Sequence, residues 1–174
     1  MIWRRGLLVW LPTALLVASI ACVNDERRPA FQYSSDDACG DVVAMAESED
    51  GKEQVLVSVD LPRIGHRVGG TYHITITEGG PASVRVELYS AKDPPFFHCS
   101  DKVPDPIPTP AVWVARSGIV RLSLASAPPV PYPLGPYRVE VALEDIVLIG
   151  PKGQVVRMPR IRRFGGFGGW RPGG

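Results

Sequence analysis

The chain is poor in the residues that carry most recognisable chemistry. It has three histidines (His66, His73 and His98) and three cysteines (Cys22, Cys39 and Cys99) in 174 residues. No two histidines stand at a metal-ligand spacing. No G-x-S-x-G elbow, phosphate-binding glycine loop or H-E-x-x-H helix is present. What survives of the enzyme readings is catalysis by residues scattered along the chain. No segment beyond residue 22 repeats its apolar positions at a helical period, which argues against a helical domain. The formal charge of +1 makes no electrostatic case for nucleic acid. Acidic residues stop at Asp145, and Lys152, Arg157, Arg160, Arg162, Arg163 and Arg171 follow. Residues 36–53, by contrast, hold seven acids and only Lys52. The plain reading is an acidic hairpin and a basic tail, both solvated. The sharper one is a tail that meets an acidic lipid or polymer surface.

Long apolar runs are also scarce. Residues 6–21 are uncharged and rich in Leu, Val and Ala, preceded by Arg4-Arg5 and followed by Asn24-Asp25-Glu26. The run is shorter than the ~20 residues a spanning helix needs and contains Pro12. A basic start, a short apolar centre and small residues at the end predict a secretory signal peptide over 1–21. Ala18-Ser19-Ile20-Ala21-Cys22 also resembles the lipobox of bacterial lipoproteins, with Ser19 where the commonest pattern has Leu. That resemblance implies cleavage before Cys22, diacylglycerol on its thiol, and a bilayer as the first partner. Plain secretion, with the Cys22 thiol free or pairing between chains, is the alternative.

Cleavage there leaves 153 residues, enough for one domain with a sizeable core, and shifts the formal charge from +1 to −1. An exported protein with three cysteines has one thiol too many for internal pairing. Lipidation of Cys22 removes it from the count and leaves Cys39 and Cys99 to form a disulfide. A metal site of His98, Cys99 and Asp101 is the competing use of Cys99, without the paired spacing of zinc motifs.

The rest of the chain alternates with period two. Tyr72, Ile74 and Ile76 oppose His73, Thr75 and Thr77. Val84, Val86 and Leu88 oppose Arg85 and Glu87. Val120, Leu122 and Leu124 oppose Arg121 and Ser123. Tyr137, Val139, Val141 and Leu143 oppose Arg138 and Glu140. These are half-buried antiparallel strands. Asp50-Gly51 marks a hairpin between 42–45 and 55–59, and Pro151-Lys152-Gly153 a turn between 146–149 and 155–158. Some eight short strands predict an all-β antiparallel sandwich, immunoglobulin-like, over 38–163, with Trp113 as a core candidate. Residues 22–37 read as the lipidated Cys and a flexible tether. The proline-rich stretches 103–110 and 128–133 read as stiff loops, or as polyproline segments that dock on a partner.

Residues 164–174 place Phe164, Phe167 and Trp170 between glycine pairs, and six of the eleven residues are glycine. That density predicts a disordered tail, its three aromatics forming a candidate contact set for an envelope protein or polymer. No cofactor is called for. Two function classes stay open: a membrane-anchored binding or structural lipoprotein, preferred, and a small envelope hydrolase of glycans or esters. A pocket bringing His73 together with acids would favour the second.

Overall fold

A computed structural model describes residues 27–40, 42–90, 97–99, 110–126 and 137–168. The strands in chain order are β1 (Ser35–Cys39), β2 (Val43–Glu47), β3 (Glu53–Val59), β4 (Thr71–Thr75), β5 (Ala82–Leu88), β6 (Ala111–Ser126), β7 (Tyr137–Ile149), β8 (Val155–Arg157) and β9 (Ile161–Gly168). A four-residue helix, α1 (Leu61–Ile64), follows β3. Asp60 caps it by accepting from the Arg63 backbone N–H, and Gly65 ends it in a left-handed conformation.

Every pairing is antiparallel. The hydrogen-bonded order is β1-β2-β3-β5-β6-β7-β8, with β4 also beside β6 and β9 also beside β7. The protein is all-β and sandwich-like, as the alternation predicts. The immunoglobulin arrangement is a finer statement than this pairing order supports.

Two long strands hold the layers together. One end of β6 (111–114) pairs with β5 and its later part (119–123) pairs with β4. Likewise β7 pairs with β9 through 137–143 and with β8 through 147–149. The runs 137–143 and 146–149, which read as two strands in sequence, are therefore one. The ladder between β6 and β7 slips twice between Ala115 and Ile119. There Gly118 has φ of 132°, and a Cβ on it would sit 2.8 Å from the Cα of Ile146. Only glycine fits so close an approach, and the bulge bends the strand. At the other side of the fold β9 lies against β1, where the Gly165 N–H donates to Asp36 Oδ2 at 2.7 Å.

The residues that alternate inward form the core: Ile74, Val84, Val86, Val120, Leu122, Leu124, Val139, Val141 and Leu143 are all buried, with Trp113 at 1 % exposure. Burying one such aliphatic side chain stabilises by about 1.5–3 kcal/mol. On the opposite face of β1–β3, Cys39, Met45 and Leu56 form a second apolar patch with Cys99 packed on it. Cys39 and Cys99 are joined by a disulfide with a Cα separation of 5.6 Å, the pairing expected from the cysteine count. Cys99 is thus not available as a metal ligand.

Two expected boundaries are corrected. Residues 164–168 are not disordered: they belong to β9, and Phe164 is 5 % exposed, in the core. Glycine weakens a strand through chain entropy, which made disorder the expectation. Here it permits close approach. A Cβ on Gly165 would meet the Val139 carbonyl oxygen, and one on Gly166 would lie 2.7 Å from the Ala38 nitrogen. Residues 169–174 lie outside the described residues. The tether is also shorter than 22–37, because β1 starts at Ser35 and the segment before it is pinned to the domain. Buried Glu53 accepts hydrogen bonds from Ala30 N–H at 2.6 Å, Phe31 N–H at 2.9 Å and the Tyr33 hydroxyl at 2.7 Å.

Candidate functional site

Three groupings of polar residues stand out, and their hydrogen bonding tells them apart. The first is the Glu53 clamp, beside a cleft of about 790 Å³ between the N-terminal segment and the β2–β3 hairpin. Two of its acids, Glu53 and Asp50, are taken up by the chain itself. Glu53 holds three donors, and Asp50 accepts from Ser48 Oγ at 2.8 Å and Lys52 N–H at 3.1 Å. Those bonds lower the Asp50 pKa. Burial, reinforced by the Glu53 carboxylate, pushes the Tyr33 hydroxyl well above its usual range, so it stays a donor. This is a fastening.

The second grouping surrounds Glu87 on β5, which is 4 % exposed. Arg85 Nε lies 2.7 Å from it, His98 Nε2 3.0 Å, and the Tyr89 hydroxyl donates a short hydrogen bond. Burial alone would raise the Glu87 pKa. The hydrogen bonds from His98 and Tyr89 and the charge of Arg85 outweigh it, and the net displacement is downward. Because His98 precedes Cys99, the disulfide and this cluster fasten the same short turn, Phe97–Cys99.

The third grouping is open. On the outer face of β4, β6, β7 and β9 lies a groove of about 640 Å³ lined by Thr71, His73, Arg121, Ser123, Glu140, Ala142, Arg160 and Arg163. Its construction follows from strand register. His73 sits opposite Arg121, and Arg121 opposite Ala142. Thr71 sits opposite Ser123, and Ser123 opposite Glu140. Two rows therefore cross the sheet: one cationic with a small residue on its floor, one of two hydroxyls and a carboxylate. The β7–β9 ladder slips between Val141 and Leu143, so that Arg162 and Arg163 together oppose Ala142. Arg163 has φ of 44°, a left-handed conformation uncommon for a long side chain. Bulges of this kind re-aim a side chain and cluster near functional sites, and this one sets Arg163 over the groove.

Part of the charge is neutralised inside the groove. Glu144, at the next outward position of β7, binds Arg121 Nη2 at 2.9 Å and takes a short contact from Arg160 Nη2. Arg138 lies 3.6 Å from Glu140. Among the described residues, Arg163 and His73 have neither an ion pair nor a hydrogen bond, and Arg121 Nε is a shielded donor without a partner. The groove thus keeps cationic capacity that folding does not use.

Of the site residues named from sequence, the structure unites Cys39 with Cys99. It puts Phe164 in the core and half-buries Phe167 on β9, so the three aromatics are not a free contact set. Cys22 and Trp170 lie outside the described residues, as do 103–109 and 128–133. His73, Arg121, Ser123 and Glu140 were marked in sequence as outward-facing, but nothing there indicated that their strands adjoin. Arg163 was read as part of a solvated basic tail, and the bulge that places it leaves no sequence signal. Among the described residues no helix is long and apolar enough to cross a membrane, and no cluster of His, Cys, Asp or Glu suits a metal ion. Comparison with family models, curated proteins and solved structures gave no match to this chain.

Proposed function

We propose that this protein is an exported lipoprotein, held to a bacterial membrane by diacylglycerol on Cys22, whose β domain is a binding module that uses the β4-β6-β7-β9 groove. The observation that carries the binding reading is the cationic capacity left over in the groove. The lipobox-like ending at Ala21-Cys22 carries the anchor. With the chain pinned from Ala30 onward, only about seven residues separate it from the lipidated Cys, a reach of at most ~25 Å. Such a leash keeps the module close to the bilayer, facing envelope polymers and proteins.

The hydrolase reading draws on His73, Ser123 and Glu140 sharing the groove. The arrangement supports it poorly. The Ser123 hydroxyl meets Thr71 Oγ1 at 3.3 Å rather than an imidazole. His73 and Glu140 stand in different rows on strands two apart, about 10 Å across the sheet. The other acid, Glu144, is occupied by two arginines. General acid–base work needs partners within hydrogen-bond reach.

Two measurements test the proposal. Acyl mass on the N-terminal peptide, lost with Cys22→Ser together with membrane retention, supports the anchor, and wild-type protein without acyl mass refutes it. Crosslinked capture from native envelope that depends on Arg163 supports the binding module. Turnover of ester or glycan substrates that depends on His73 would replace it with the hydrolase.

A further inference from the structure

We infer that the groove's ligand is an acidic glycan, a chain bearing both carboxylates and free hydroxyls. The inference rests on the binding reading above and specifies its ligand.

The cationic row supplies the first half of the argument. Arg121 on β6 and Arg163 on β9 flank Ala142 on β7, so their backbones stand about 10 Å apart across the strand between them. The methyl group of Ala142 leaves a depression between two guanidinium groups, and His73 extends the row on β4. A carboxylate seated there meets forked donors from both sides, the geometry in which arginine outperforms lysine. Arg163 is the freer of the two, since Arg121 shares a guanidinium nitrogen with Glu144.

The neighbouring row supplies the second half. Thr71, Ser123 and Glu140 run parallel to the cationic row, one outward position along each strand. A purely anionic polymer gains nothing from a carboxylate beside its binding cations and is repelled by it. A sugar bearing a carboxylate has hydroxyls within a few ångströms of that group. Glu140 accepts from them, and the hydroxyls of Thr71 and Ser123 donate or accept as required. Donors for an anion beside acceptors for hydroxyls, in one groove, match an acidic sugar better than polyphosphate or a lipid headgroup.

The test uses full-length protein purified in detergent, titrated with a polygalacturonate oligomer, a neutral glucan of equal length, inorganic polyphosphate, and phosphatidylglycerol vesicles. Polygalacturonate should bind in a salt-dependent manner and the neutral glucan should not. Arg163→Gln should weaken binding about tenfold, the loss of one charge-assisted contact, with an unchanged melting temperature. Glu140→Ala gives the discriminating sign. It should weaken polygalacturonate binding although it removes a like charge, and strengthen any residual polyphosphate binding. If Glu140→Ala tightens polygalacturonate, the groove reads charge alone and the proposal is overturned. Tighter binding of polyphosphate or vesicles than of polygalacturonate overturns it equally. Arg163-dependent envelope capture without polygalacturonate binding refutes the glycan while leaving the binding module standing. Failure of the anchor would show separately, as missing acyl mass on Cys22.

Discussion

Glu87 and Glu140 are carboxylates of one sheet, set beside opposite ends of β6, at Val112 and Ser123, and the protein treats them in opposite ways. Glu87 is buried, and the three side chains around it exist to satisfy it: Arg85, Tyr89 and His98 converge on its two oxygens. Glu140 is half-exposed, loosely paired with Arg138, and stands beside an arginine and a histidine that have no partner among the described residues. A carboxylate whose two oxygens are both taken by neighbouring side chains has little left to offer a ligand. An open one costs the fold little and keeps its hydrogen-bonding capacity for something outside. The balance of partners, rather than the number of charges, separates fastening from site.

The largest way to press on this difference runs through Phe164, the next residue after Arg163. Phe164 faces the core and Arg163 the groove. Phe164→Ala should destabilise by about 3–5 kcal/mol, the usual cost of an aromatic lost from a packed core. Denaturant unfolding measures it, and a loss below about 1 kcal/mol would return the segment to a tail. Next comes the pair Cys39→Ala with Cys99→Ala. The 60-residue separation corresponds to about 4 kcal/mol in the chain-entropy model. The double variant should also loosen the turn bearing His98.

Glu87→Gln is expected to cost less, about 1–3 kcal/mol near neutral pH, as buried donors lose their acceptor. Its pH signature is more specific. The folded protein holds the Glu87 pKa below its ordinary value of 4.5. Such a group contributes stability that is complete above the unfolded value and is lost as pH falls through the folded one. Wild-type stability should therefore fall more steeply than that of the variant below about pH 4.5. Parallel curves throughout would mean that Glu87 is not held ionised by its neighbours.

How much of this was legible in the sequence follows from what sets each feature. Alternation assigned inward and outward faces to Ile74, Val120, Leu122, Val139 and Val141, because burial on one side of a pleat writes itself in period two. The disulfide followed from the cysteine count. The groove did not. Period two says that His73, Arg121 and Glu140 point away from the core, but not that β4 joins β6 or that β9 returns to β7, since those pairings link segments tens of residues apart. The glycine-rich end misled for a related reason. Gly165 and Gly166 are required by the closeness of Val139 and Ala38, which only the folded chain brings near. Composition registers glycine's entropic cost and cannot register that contact.

The smallest expected effect on stability is the most telling for the comparison. Arg163 and His73 are exposed and without partners among the described residues, so His73→Asn and Arg163→Gln each remove no contact that folding uses. Both should stay within about 0.5 kcal/mol of wild type, the ordinary range for surface positions. Arg163→Gln also leaves the strained backbone in place, because its φ of 44° belongs to the bulge and not to the guanidinium. By contrast, Arg163→Gly should stabilise slightly, by up to about 1 kcal/mol, since glycine meets that conformation without strain. A residue kept at a strained position against stability is kept for its side chain. If Arg163→Gly is neutral or destabilising, the side chain or the chain's stiffness contributes to the fold after all. If it stabilises while envelope capture falls, the strain at β9 is maintained for binding, and the groove is distinguished from the Glu87 cluster by energetics as well as by its open hydrogen bonds.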